Sequence, residues 1–347
     1  MIGVQAWKFR DTLPPPSVLR HVVDIHCHPT DSEIPVQSMD NLPIIIGAMS
    51  TLQADQGLVR DLATAFPDKV VPSFGYHPWF THWIALVPYE SKEEHYRCIF
   101  KDADEHPEAF QKLLLHLPEP VTLQTVLEDV RQNLMAFSSA MLGEVGIDRA
   151  SRVPYNYVSS PGDLTPFTIP LEHQLAILEA QLDLATELGR NVSMHSVKSQ
   201  QATVELLDRM TERHGERWMK ISIDIHSCGF SPQTWLYIEK HHPNVFFSLS
   251  TAINSRSPNH RALIAACSSR RILVESDCHK IDDSMQRTWD MVLIVAEVKG
   301  WPVESSWEEV VDESQQGVVR RLENNWREFV QGNHVQTRKL SKRAASG

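Results

Sequence analysis

Eight short runs of β-branched and aliphatic residues recur along the chain, most of them separated by stretches of helical spacing. Runs of about 4–8 such residues bounded by turn formers read as strands, whereas apolar residues recurring at three and four positions read as helices. The first run covers residues 21–26, the second 43–49 with its triplet Ile44-Ile45-Ile46, and the third 70–76; a helix at 53–66 joins the last two. The fourth covers 140–145. From there the order is regular: helix 171–188 closed by Gly189, strand 191–195, helix 200–214, strand 220–226, helix 231–241 opened by Ser231-Pro232, strand 245–250 and strand 271–275. A glycine just past a helix end supplies left-handed backbone, and a proline in the first turn forfeits no hydrogen bond. Residues 285–298 and 307–329 read as closing helices.

Strands that alternate with helices need right-handed crossovers, and eight of them close most simply into a parallel (β/α)8 barrel of the TIM type; a doubly wound open sheet is the other arrangement. Such a barrel takes about 250 residues, so the 347 residues leave room for an insertion. The expected organisation is an extended lead-in at 1–20, set by Pro14-Pro15-Pro16, then the barrel at 21–330, then a basic, disordered tail at 331–347. Within the barrel, residues 78–136 turn charged and helical and read as an insertion over one barrel mouth.

A formal charge of −11 argues against an extended basic surface that grips nucleic acid nonspecifically, while leaving open a small anionic substrate held by metal. The most hydrophobic run, 291–298, is too short to span a bilayer, and the first twenty residues carry no apolar signal core, so no membrane association is expected. The five cysteines (Cys27, Cys98, Cys228, Cys267, Cys278) form an odd set without a C-x-x-C pair. They fit neither a disulfide framework nor a structural zinc cluster, and point to a reducing compartment, cytoplasm and/or nucleus.

Ligand-type residues collect at the ends of these strands. In Asp24-Ile25-His26-Cys27-His28 the alternation of a strand turns Asp24, His26 and His28 to one side. Neutral imidazoles suit borderline divalent metals, and Asp24 is a candidate second-sphere acceptor. Glu144 closes strand four, His195 strand five and His226 strand six, and Asp277 follows strand eight. Active sites of such barrels gather at that rim. Each residue alone reads more readily as a capping carboxylate or a core-edge histidine; six at the ends of five strands argue for a joint site. Mixed imidazole and carboxylate donors suit two divalent ions (Mg, Mn or Zn) bridged by a carboxylate, for which Glu144 is the candidate. Asp277 is the candidate to ligate one ion or to take a proton from the attacking water, two roles that spacing does not separate.

The chain resembles the TatD-related deoxyribonucleases, within the metal-dependent hydrolase barrels. The resemblance runs from about residue 21 to 329, apart from the insertion. It rests on Asp24-Ile25-His26-Cys27-His28, Gly75-Tyr76-His77-Pro78-Trp79, Gly143-Glu144-Val145-Gly146-Ile147-Asp148, Gln181-Leu182-Asp183-Leu184-Ala185 leading to Met194-His195-Ser196, Asp224-Ile225-His226-Ser227, and Leu273-Val274-Glu275-Ser276-Asp277. The resemblance implies a two-metal phosphodiesterase acting on DNA ends. His26, His28, Glu144 and Asp277 would surround one metal, and Glu144, His195 and His226 the other. By the same analogy His77 lies near the substrate phosphate.

Two departures bear on phosphate recognition. Members of the family often carry an arginine shortly after the strand-five histidine, where this chain has Val197-Lys198, and the stretch after the last aspartate is Cys278-His279-Lys280. Arg149, Arg152, Lys198 and Lys280 are the local cations that could hold a phosphate, although rim cations are commonly just solvated surface. Two rival readings remain: an amidohydrolase acting on C–N or C–O bonds, and a noncatalytic interaction module. The first usually places a lysine where Glu144 stands. The second would use residues 78–136 as a partner surface, and the pattern is also similar to fungal members of the family known chiefly as partners of cell-cycle proteins.

Overall fold

The computed structural model describes residues 13–157, 162–255, 257 and 259–336. Eight parallel strands follow one another around a nearly closed barrel with helices between them: β1 Val23–Cys27, β2 Ile45–Met49, β3 Val70–Phe74, β4 Met141–Asp148, β5 Val192–Val197, β6 Ile223–Ile225, β7 Val245–Leu249 and β8 Ile272–Val274. The strand order is the chain order, as right-handed crossovers demand. No regular ladder joins β8 to β1. Past the strand ends, the Asp277 N–H donates to the His26 carbonyl at 3.0 Å and the His28 N–H to the Cys278 carbonyl at 2.9 Å. The Asp24 carboxylate reinforces this seam by accepting from the backbone N–H of Ser276 at 2.9 Å and of His26 at 3.3 Å. The seam therefore carries four expected site residues, Asp24, His26, His28 and Asp277, and closing the barrel also assembles part of the site.

Apolar side chains of all eight strands and the surrounding helices form one core. Helix Leu171–Leu188 buries Ile177, Leu178, Leu182 and Ala185 in it, and two buried glutamines on the same face reach the strand ends. Gln181 accepts from Tyr76 N–H at 2.9 Å and donates to its carbonyl, while Gln174 does the same at Asp148, at 2.8 and 3.1 Å. A helix interior thus satisfies backbone groups that the flaring barrel leaves unpaired, and fixes where β3 and β4 end.

Several expected boundaries shift, each for a local reason. Part of the lead-in, residues 1–12, lies outside the described residues, and its end is a short helix, Pro16–Leu19, instead of extended chain. Proline at the first helical position needs no partner for its nitrogen, so the Pro14-Pro15-Pro16 run starts a helix as well as forbidding one further in. The closing helix begins at Val318, eleven residues later than its apolar spacing suggests, because 307–317 is irregular and Trp307 stacks on His21 at 3.5 Å between ring centroids. The last helix of the 78–136 segment, Leu123–Ala136, buries Val126, Val130 and Leu134 in the barrel core and is the crossover into β4.

Before it, helices Lys92–Ile99 and Pro107–Leu114 form a second core with Val153, Phe167 and Ile169, and a two-residue parallel pair, Ile84–Ala85 with Val121–Thr122, ties the ends of that excursion together. Of the tail, Gly332 to His334 turn back on the barrel: Asn333 N–H donates to Lys220 and His334 N–H to Met219. Residues 337–347 lie outside the described residues.

Gly146 of β4 pairs with His195 of β5 at φ +155°, where an added Cβ would stand 2.1 Å from the His195 carbonyl oxygen. Only glycine allows these strands to approach so closely. Gly146→Ala is expected to cost roughly 3 kcal/mol in urea or thermal unfolding, at the scale of a buried backbone clash.

Candidate metal centre

Alternation along β1 turns Asp24, His26 and His28 inward as expected, and the same parity applies at four later strand ends. It brings Glu144 and Asp148 of β4, His195 of β5, His226 after β6 and Asp277 after β8 to one mouth of the barrel. Glu144 is buried at the centre. Its Oε2 lies 3.2 Å from His28 Nε2 and 3.6 Å from His26 Nε2. Its Oε1 lies 2.7 Å from His226 Nε2, 2.9 Å from His195 Nδ1 and 3.2 Å from His77 Nε2. Asp277 Oδ1 stands 3.7 Å from His28 Nε2 and 4.0 Å from His26 Nε2. Two groups of donors therefore face the two oxygens of one carboxylate.

The spacing fits divalent ions. Ligand bonds of about 2.0–2.1 Å put neighbouring donors about 3.3 Å apart in a tetrahedron and about 2.9 Å apart in an octahedron. His26 Nε2 and His28 Nε2 are 3.2 Å apart, and His195 Nδ1 and His226 Nε2 are 3.1 Å apart. Two imidazole nitrogens this close cannot both carry protons facing each other, which suits a shared cation between them. These His and Glu clusters could hold metal.

Charge in the centre follows from burial and from this crowding. Burial works against a charge on Glu144, yet the imidazoles of His77, His226 and His26 outweigh it and hold the carboxyl well below its usual range. Burial likewise opposes a proton on His28, but the Glu144 hydrogen bond and the charges of Glu144 and Asp277 lift it to about 9. His226 and His195 are raised against the same opposition, the first by Glu144 and Glu275, the second by Asp148 and Glu144. His26 goes the other way, lowered by burial and by His226, whose ring stacks on it at 3.8 Å. Burial pushes His77 down to about 4. Its Nδ1 accepts from Trp79 N–H at 3.2 Å, so its Nε2 carries the proton and donates to Glu144.

Groups that spacing did not single out hold the donors in place. Ser193 Oγ meets His26 Nδ1 at 2.7 Å and aims Nε2 inward. Asp148 faces His195 Nε2 at 3.4 Å while accepting from Trp79 Nε1 at 2.8 Å and from the N–H groups of Ala150 and Ser151, and although burial opposes it, these partners hold its carboxyl at about 2. Glu275 accepts from Ser227 N–H at 2.8 Å and lies 3.6 Å from His226 Nδ1; Ser248 Oγ joins it to Asp224. The parity that pairs Asp24 with His26 pairs Asp224 with His226 and Glu275 with Asp277, so the signal was present and was read at only one strand. A second mark is backbone strain: Ser227 (φ 42°), Asp277 (φ 49°) and Lys198 (φ 50°) are left-handed non-glycine residues just past β6, β8 and β5.

The centre forms the floor of a pocket of about 420 Å³ walled by Trp79, Phe80, Val197 and Ile253, with Asp31 and His279 paired at 2.8 Å on its rim. No lysine or arginine lines it among the described residues. Arg149 and Lys198, expected to contact substrate, are exposed beyond the ends of β4 and β5 and are not part of the lining. Arg149 directly follows inward-facing Asp148 and Lys198 directly follows pocket-lining Val197, so each is out of step with the inward set. Lys280 and Arg152 are likewise absent from the lining; Arg152 is spent on the Thr165 carbonyl.

The family model for TatD related DNase matches residues 23–316. The chain belongs to that family. Its relatives include the Cut9-interacting protein scn1 of Schizosaccharomyces pombe, 29% identical over 83% of this chain and 96% of that one, and an uncharacterized deoxyribonuclease of Saccharomyces cerevisiae, 26% identical over 90% and 100%. Among solved structures, a TatD homologue of Escherichia coli superposes with a TM-score of 0.55 at 16% identity, covering 91% of this chain and 99% of that one. An uncharacterized amidohydrolase of Saccharomyces cerevisiae gives 0.57 at 13%, covering 89% and 99%; at such identities both speak to the fold. As a member of the TatD-related DNase family, the chain is a hydrolase of the class that acts on phosphodiester bonds.

Ligating imidazoles must be unprotonated. Glu144 and Asp277, against the opposition of burial, hold the His28 proton to a pKa of about 9, so a metal ion bound at that nitrogen would have to displace it. Titration of the metal-free chain with Zn²⁺ or Mn²⁺ in buffers of different ionisation enthalpy is expected to report release of one or more protons per chain, with affinity falling as pH is lowered.

Proposed function

We propose that the chain is a divalent-metal-dependent deoxyribonuclease that uses two ions. One would be held by His26, His28, Glu144 and Asp277, the other by Glu144, His195 and His226. The observation that carries this reading is the division of donors about Glu144, with Oε2 facing His26 and His28 and Oε1 facing His195 and His226. When bound, such ions activate water and offset the charge that builds on a phosphoryl group. Glu144, ionised by its surroundings, serves as the bridge.

Asp277 is the group positioned to accept the proton of the attacking water. It is more open than the other candidate ligand carboxylate, at 14% side-chain exposure against 4% for Glu144, and it borders the pocket. His77, a neutral donor on the pocket wall, is placed to meet a phosphate oxygen once Glu144 is engaged elsewhere. Asp148 and Ser193 hold His195 and His26 by their far nitrogens, as outer partners of metal-bound histidines do, and Glu275 lies 3.6 Å from the far nitrogen of His226. Asp24 serves the seam of the barrel as an outer-sphere acceptor. Phosphate contact by Arg149 and Lys198 is not part of this reading.

Two further points belong to the proposal. The printed name of the fission-yeast relative supports a protein partner, for which residues 78–136, with their own small core beside the barrel, offer the surface. An intact set of donors argues that partner binding would add to catalysis instead of replacing it. Five unpaired cysteines support a reducing location, cytoplasm or nucleus, and no helix among the described residues is long and apolar enough to cross a membrane. The amidohydrolase alternative loses ground to the carboxylate at position 144, where a bridging lysine is wanted.

Elemental analysis after reconstitution is expected to find about two divalent ions per chain, and His195→Ala with His226→Ala to remove one of them. End-labelled DNA is expected to be cut with Mg²⁺, Mn²⁺ or Zn²⁺ and spared with chelator, and Asp277→Asn to lower kcat by about 10²–10⁴-fold. No cleavage under any of the three metals would overturn the proposal; equal cleavage by the Asn variant would point to a contaminating nuclease.

A further inference from the structure

Trp79 is at odds with its surroundings. It is 46% exposed at the mouth of the pocket, although indoles are ordinarily buried, and it is held rigidly. Its N–H donates to His77 Nδ1, its carbonyl accepts from Tyr157 Oη at 3.2 Å, and its indole Nε1 donates to Asp148 at 2.8 Å. With the indole nitrogen spent, what the residue offers the pocket is a fixed aromatic face. Phe80 follows it on the same wall.

Facing this wall stands a second exposed apolar side chain. Trp79 lies in the 3-10 turn after β3, and Ile253, 50% exposed, in the short helix after β7. Strands four apart in an eight-stranded ring are diametrically opposed. Both residues line the same pocket, and the donor cluster forms the floor between them. The lining offers no lysine or arginine among the described residues, so its walls are built for a flat apolar body and its floor for an anion held through metal.

Resting on the nuclease reading above, we propose that Trp79 and Ile253 clamp one nucleobase of the substrate, and that this stacking selects the nucleotide whose phosphate reaches the metal floor. A phosphate seated there leaves its attached base to lie between the walls. Aromatic stacking discriminates in favour of a base over a bare sugar phosphate, at a scale that corresponds to about 10-fold or more in affinity per base. The clamp is also tied to the centre, because the indole that presents the face donates to Asp148, which in turn faces His195 Nε2. Trp79 is thus a specificity-determining residue through its face and a positioning residue through its Nε1.

The test compares dAMP with 2-deoxyribose 5-phosphate, which has the same sugar and phosphate and no base. Both are titrated into the Mn²⁺-loaded full chain by calorimetry, with tryptophan fluorescence as a second readout. The wild type is expected to bind dAMP about 10-fold tighter. Trp79→Ala is expected to erase that preference, so that the two ligands bind alike, and Ile253→Ala to reduce it while leaving the affinity for the sugar phosphate unchanged. Trp79→Phe keeps a stacking face and loses the donor to Asp148, so it is expected to retain the preference while DNA cleavage falls in kcat and KM holds.

Equal binding of the two ligands by the wild type, or a loss in Trp79→Ala that is the same for both, overturns the clamp. Preference for dAMP in a protein that cleaves no DNA overturns the nuclease reading and leaves the clamp standing.

Discussion

One buried carboxylate sets the terms for the rest of this molecule. Glu144 lies at the centre of the barrel mouth with 4% of its side chain exposed, and a charge there without partners would cost several kcal/mol. Five imidazole nitrogens within 3.6 Å of its two oxygens meet that cost. In the metal-free protein some of them do so by holding protons, most plainly His28 and His226. Protons and divalent ions are then alternative occupants of the same negative field. The donors are thus gathered about one negative charge, an arrangement that could hold metal.

Holding that many donors around one carboxylate requires precise backbone, and the barrel supplies it at three places. The seam between β8 and β1 is closed by hydrogen bonds of His26, His28, Asp277 and Cys278 and by the Asp24 carboxylate, so the same residues complete the fold and the site. Gly146 lets β4 and β5 approach closely enough to bring His195 up to Glu144. Gln174 and Gln181, reaching out of a helix, end β4 and β3 where Asp148 and His77 are needed. Each of these three devices converts a packing requirement into the aim of a side chain.

Outside the donor ring the pocket has a different character. The walls are aromatic and aliphatic, the rim carries the Asp31 and His279 pair, and the family's usual cation after strand five is replaced by an exposed Lys198 in a left-handed turn. The described lining therefore offers a phosphate no guanidinium or ammonium group. The excursion between β3 and the crossover helix at Leu123–Ala136 supplies both Trp79 and the small second core, so one segment shapes the pocket and presents the surface beside it.

The fold and the donor set were legible in the chain because both obey local periodicities. Alternating strands and helices imply the barrel, and a period of two aims His26 and His28 together; Glu144, His195, His226 and Asp277 stand at strand ends where such barrels gather their sites. Local pattern was silent on partners remote along the chain: Ser193 beneath His26, Gln181 at Tyr76, Trp79 at Asp148, and the far walls at Trp79 and Ile253. Arg149 and Lys198 stand exposed outside the pocket lining, which their places at the strand ends did not disclose. Period and residue type are properties of a segment and survive without the rest of the molecule. Which oxygen faces which nitrogen, and what stands across the pocket, depend on ring closure and on the stagger between strands, and only the assembled barrel decides them.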